Sequence, residues 1–144
     1  MARATAAVLR TRQGVIPDAD SFVASLEPTH SAFAERLGRV PVLVRARAST
    51  AEAVAALGNG VLAIDSVPLA LFSFLRWGPD FEAVVVHTAL CGGDVDSIAA
   101  MSGALAGALV GEEGLPTQCS RARKTAREAS GMSRTWPIES TRRR

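Results

Sequence analysis

Gly92-Gly93-Asp94-Val95-Asp96-Ser97-Ile98-Ala99-Ala100-Met101-Ser102-Gly103-Ala104-Leu105-Ala106-Gly107-Ala108 is the stretch from which the rest of the chain is best understood. No charged side chain occurs from Ser97 to Gly111, and alanine, glycine and leucine predominate there. Such a run is expected to form a buried helix, with two carboxylates at its glycine hinge. A helix N-terminus has unpaired N–H groups and partial positive charge, so carboxylates are stable there. One aspartate can serve as an N-cap, which would leave the other without a task. Two carboxylates and a hydroxyl, from Asp94, Asp96 and Ser97, are also the oxygen ligands that hard divalent cations select. In a regular helix Asp94 and Asp96 would diverge by about 200°. Their convergence therefore requires Gly92 and Gly93 to bring the backbone in through a non-helical turn.

Composition narrows the class. The chain has 144 residues, 48% of them hydrophobic, but only 5% aromatic and none tyrosine. That suits one ordinary domain or part of a larger one, with a core of aliphatic side chains. The net charge of +2 hides two unlike parts: residues 1–116 sum to −4, and residues 117–144 sum to +6. The body is expected to fold, and residues 117–144 to form a basic tail without apolar periodicity. The charge of the tail does not make the body a nucleic-acid binder. Cys91 and Cys119 are too few for a disulfide framework, and a reducing cytoplasm is the expected compartment. No uncharged run approaches the ~20 residues of a membrane span.

Most of the remaining chain reads as short helices. One is expected over residues 2–10, and a second, capped by Asp20 or Ser21, through Leu26. A third is expected from Thr29 to Leu37, ended by Gly38. Pro41-Val42-Leu43-Val44 suits either a helix or a short strand. Ser49 and Glu52 form a capping-box pattern for a helix to Leu57, stopped by Gly58. A further helix, capped by Asp65 or Ser66, is expected to about Arg76, with Pro68 in its first turn and a stripe of Val67, Leu71, Phe74 and Leu75 facing the core. Asp80 is expected to cap Phe81 to Leu90, with Phe81, Val84, Val85 and Thr88 inward. Gly103 and Gly107 offer a small face for close helix packing, which Gly103→Leu would overfill. Gly58-Asn59-Gly60 is a tight turn that could bring bare backbone to a ligand.

Three blocks in order resemble the ADP-ribosylglycohydrolase family: Leu57-Gly58-Asn59-Gly60-Val61; Ser66-Val67-Pro68 with Ala70 and Phe74-Leu75-Arg76; and Gly92-Gly93-Asp94-Val95-Asp96-Ser97 running on through Gly107-Ala108. The resemblance implies an all-α fold, of which this chain would be the C-terminal portion beginning at an internal methionine. It implies hydrolysis of the bond joining ADP-ribose to an acceptor, with two Mg²⁺ or Mn²⁺ ions in the complete site. Asp94 and Asp96 match metal-binding aspartates, and Ser97 stands where a threonine usually supplies an oxygen. Asn59, Gly60 and Val61 match the turn lining the ADP-ribose site. Val95 also replaces a threonine, and the Thr-Asp-Asp cluster that carries other ligands in the family is absent. The expected partners are therefore ADP-ribose or an ADP-ribosylated protein, together with a complementing N-terminal half or a second copy. A non-catalytic ADP-ribose-binding module and an inactive fragment are the alternatives to a hydrolase segment.

Overall fold

The computed structural model describes residues 1–118 apart from Arg12 and Thr29, and the tail expected after residue 116 lies, from residue 119, outside the described residues. Within them there are seven helices and no strand: α1 (Ala2–Leu9), α2 (Ala19–Ala24), α3 (Ser31–Arg45), α4 (Thr50–Leu57), α5 (Ala63–Trp77), α6 (Phe81–Ala89) and α7 (Val95–Val110). The all-α expectation holds. No described helix is long and apolar enough to cross a membrane.

α5 is the central rod. Every residue from Pro68 to Leu75 is buried, as is Ser66, and α3, α4, α6 and α7 all pack against it. The expected one-sided stripe is thus corrected, since α5 has core on every side and Val67 is only partly buried. Phe72 and Phe74 lie wholly inside, each contributing about 1.5–3 kcal/mol of apolar transfer energy. The helix begins at Ala63 with Leu62 at the N-cap, earlier than expected, so Pro68 lies beyond the first turn.

Two helices have boundaries other than those expected, for different reasons. α3 runs through Gly38 and carries Pro41 inside it, which removes the strand alternative for residues 41–44. A mid-helix glycine costs about 1 kcal/mol and a proline about 3 relative to alanine. Leu37, Val40 and Pro41 are buried against the rod, and that burial outweighs local propensity. α2 is capped two residues before the nearer of the expected caps, where Asp18 accepts from the Ser21 N–H at 2.9 Å; Asp20 instead pairs with Arg45.

Local capping signals elsewhere are realised, but of the residues expected to face inward on α6 only Val84 and Thr88 are buried, Phe81 is partly so and Val85 is exposed. Ser49 and Glu52 form the reciprocal capping box of α4, and Gly58 ends it with φ +80°. Asp80 caps α6 by accepting from Ala83 N–H at 2.9 Å. α6 and α7 are joined by a buried hydroxyl pair, Thr88 Oγ1 to Ser102 Oγ at 3.1 Å, while Thr88 also donates to Val84 C=O. Both hydroxyls are satisfied, so burying them carries little penalty. The end of α7 is tied to the loop after α1: Gly14 N–H donates to Leu109 C=O and the Gln13 amide to Val110 C=O, both at 2.9 Å. His87 stacks on Trp77 with ring centroids 4.0 Å apart, a packing role.

The glycine face of α7 differs from expectation. A Cβ on Gly103 would meet only the Val85 side chain at 3.9 Å, and one on Gly107 would meet Phe81 and Leu115 at 3.8 and 3.9 Å. These are ordinary van der Waals distances, so no backbone approach depends on either glycine. Gly103→Ala should therefore raise stability by about 0.5–1 kcal/mol through helix propensity, measurable as a higher thermal midpoint.

The capping box also has a pH signature. Hydrogen bonds from the Ser49 backbone and hydroxyl hold the Glu52 carboxyl below its ordinary value of 4.5. A depressed folded-state value means that the contribution is complete above the unfolded value and is lost as pH falls through the folded one. Glu52→Gln should lower the melting temperature at neutral pH and narrow the difference from wild type progressively under acid, as read from melts across the carboxylate range.

Candidate functional site

The N-terminus of α7 faces the loop that follows α4. Gly92 and Gly93 both adopt left-handed backbone, at φ +63° and +65°. Asp94 follows at φ −82°, ψ 59°, outside the helical region. The non-helical approach that convergence of the aspartates requires is therefore present.

Asp94 occupies the N-cap of α7, yet its side chain makes no capping hydrogen bond. The N-cap role weighed for it from sequence does not account for its carboxylate. Asp94 is half-buried, whereas Asp96 and Ser97, in the first turn of α7, are exposed. Hard-cation ligand types are thus at hand, but no group of three or more His, Cys, Asp or Glu side chains forms among the described residues. Asp94 is the more enclosed of the three oxygen-bearing side chains, and Asp96 and Ser97 face outward from the first turn of α7.

Asn59 joins the two loops. Its carbonyl oxygen accepts from the Asp94 N–H at 2.9 Å, and its side-chain amide donates to Cys91 C=O at 2.8 Å. The turn and the aspartate loop, separate in sequence, are therefore one structural unit. Gly93 is what permits the contact, because a Cβ there would overlap the Asn59 carbonyl oxygen and lie 2.7 Å from its Cγ. Gly60 packs over Asp65, and Val61 projects outward with 79% of its surface exposed. Asn59 and Asp94 are thus brought together, while Val61 stands apart on the surface.

Cys91 sits beneath this loop as a buried free thiol. Burial pushes its pKa upward, away from the thiolate needed by a nucleophile. Cys119 lies outside the described residues. Sequence reasoning missed Arg36 and Asp65, which form an ion pair at 3.0 Å beneath the Gly58–Gly60 turn. No local pattern signals a pair drawn from two different helices.

The family model described as ADP-ribosylglycohydrolase matches residues 1–137. This chain belongs to the ADP-ribosylglycohydrolase family. Among its relatives, the ADP-ribosylhydrolase ARH3 of Bos taurus is 38% identical over 95 residues, covering 58% of this chain and 26% of the relative. ARH3 of Danio rerio is 33% identical over 114 residues, covering 71% and 30% respectively. An uncharacterized protein of Archaeoglobus fulgidus is 46% identical over 56 residues, covering 39% and 18%. The chain thus spans less than a third of the length of these curated relatives.

The two hinge glycines should respond differently to alanine. Both φ values are unfavourable for a side chain, but a Cβ on Gly92 would meet only the Asn59 amide nitrogen, at 3.6 Å. Gly92→Ala should cost about 1 kcal/mol of left-handed strain. Gly93→Ala adds a backbone clash and should cost about 1–3 kcal/mol more, as measured by denaturant unfolding.

Proposed function

We propose that this chain is the metal-binding C-terminal segment of an ADP-ribosylglycohydrolase, supplying one side of a two-ion Mg²⁺ or Mn²⁺ site for cleavage of the bond between ADP-ribose and its acceptor. Asp94 and Asp96 would hold the metal, with the Ser97 hydroxyl as a further oxygen. The observation that carries this reading is the Asp94 carboxylate, half-buried at the head of α7 and not engaged in capping it, in a chain of this family.

A bound divalent ion would supply positive charge to orient ribose hydroxyls and polarise the anomeric linkage. The residues of the chain have distinct tasks. The Asp94 loop is fixed by its N–H bond to Asn59 C=O, so its carboxylate is presented without reorganisation. A carboxylate left uncoordinated by the ion would favour the positive charge that develops on the sugar as the glycosidic bond breaks. Asn59, Gly60 and Val61 would line the ADP-ribose site, Val61 giving an exposed apolar surface to the sugar or base. The absence of a third acidic, histidine or cysteine ligand beside the aspartates among the described residues supports a second reading, a module that binds ADP-ribose without turning it over.

Calorimetric titration of the full chain with Mn²⁺, then with ADP-ribose at saturating Mn²⁺, tests both. Mn²⁺ binding is expected, and Asp94→Ala should weaken it more than about a hundredfold, beyond what loss of a supporting residue produces. Unchanged affinity in Asp94→Ala and Asp96→Ala would overturn the metal assignment. Release of free ADP-ribose from an ADP-ribosylated peptide would mark an enzyme; ADP-ribose binding without release would mark the module.

A further inference from the structure

The geometry points to Arg36 and Asp65 as positioning residues that hold the Gly58–Gly60 turn, and through it the Asp94 loop, in the conformation that presents the candidate metal ligands. This rests on the reading of Asp94 given above. The chain of contacts is continuous. Arg36, on α3, donates through Nη1 to the carbonyl of Leu57, the last residue of α4, and to Asp65 Oδ1 at 3.0 Å. Helix-terminal carbonyls lack an intrahelical partner, so the guanidinium satisfies one and anchors the end of α4.

Asp65, in the first turn of α5, lies where the turn would otherwise carry side chains. A Cβ on Gly58 would come within 2.7 Å of Oδ1, and one on Gly60 within 2.9 Å of Oδ2. The Gly-Asn-Gly backbone is therefore folded over a single carboxylate, which accounts for glycine on both sides of Asn59. Held in this way, Asn59 directs its carbonyl oxygen to Asp94 N–H and its amide to Cys91 C=O. Four helices, α3, α4, α5 and α7, meet through this one path. Both charged partners are mostly shielded, with side chains 29% and 23% exposed, so the pair is less screened than a surface bridge.

The Arg36–Asp65 pair thus acts on the site without touching a ligand. Removing the guanidinium would leave Asp65 as an uncompensated, half-buried carboxylate under the turn and would release the Leu57 carbonyl. The turn would loosen, and the Asp94 N–H would lose its fixed acceptor. Helix packing around Leu105 and Leu109 of α7, which the pair does not contact, would persist.

Amide hydrogen exchange and Mn²⁺ titration of the full chain test this in Arg36→Met, Arg36→Lys and Asp65→Asn. The Asp94 N–H should exchange about tenfold or more faster in Arg36→Met and Asp65→Asn, with Leu105 and Leu109 amides unchanged. Mn²⁺ affinity should fall about tenfold or more in the same variants. Arg36→Lys, which keeps the charge and a donor, should restore most of both. Wild-type protection of Asp94 persisting in Arg36→Met would overturn the proposal, as would Mn²⁺ affinity unaffected by a loosened loop. If Arg36→Met exchanges rapidly throughout the core, Asp65→Asn, nearly equal in size to the native residue, decides by the same criteria. If wild type binds no Mn²⁺, the metal reading fails, and Asp94 exchange alone decides whether the pair positions the loop.

Discussion

The burial of α5 on every side is the constraint from which the remaining architecture follows. A helix with core all round needs neighbours on several faces, and α3, α4, α6 and α7 provide them. Three of those neighbours, α3, α4 and α6, are individually poor helices. α4 has eight residues and α6 nine, lengths that are marginal for an isolated helix in water. α3 contains both Gly38 and Pro41. Their stability comes from docking on the rod, and their ends are fixed by caps such as Ser49–Glu52 and Asp80.

The same packing delivers the candidate site. α5 begins next to the Gly58–Gly60 turn, so Asp65 in its first turn lies under that turn. α7 packs along α5 and places its N-terminus beside Asn59. The carboxylate of Asp94 is presented by main-chain geometry, since the N–H of the same residue is bound by Asn59 C=O. Half-burial of Asp94 and exposure of Asp96 set the two aspartates in unequal surroundings, with the first more enclosed by protein.

What could be read from sequence was local. Ser49 with Glu52, Asp80 at the head of α6, and Gly58 as a helix stop are short-range chemistry, and all three appear as expected. The head of α7 was legible because two adjacent glycines ahead of an uncharged run mark both a hinge and the start of a buried helix. The continuation of α3 through Gly38 and Pro41 was hidden because tertiary burial, which no window reveals, overrides propensity. The buried Thr88–Ser102 pair was hidden too, since a hydroxyl in a small-residue helix looks the same whether or not it meets a partner. Asn59 reads as a turn residue, but its two bonds to the Cys91–Asp94 loop depend on the path of the intervening helices. Asp65 reads as a helix cap, but Leu62 takes that place, and nothing in the order of residues pairs Asp65 with Arg36 across two helices.

The bond from Asn59 to Cys91 spans 32 positions of the chain, and that separation bears on the order in which the molecule acquires its form. A contact so distant must await closure of the loop containing α5 and α6, whose entropy cost is met only once those helices have docked. The form of the aspartate loop is thus tied to the placement of α5 and α6, and cannot be held by its own residues alone.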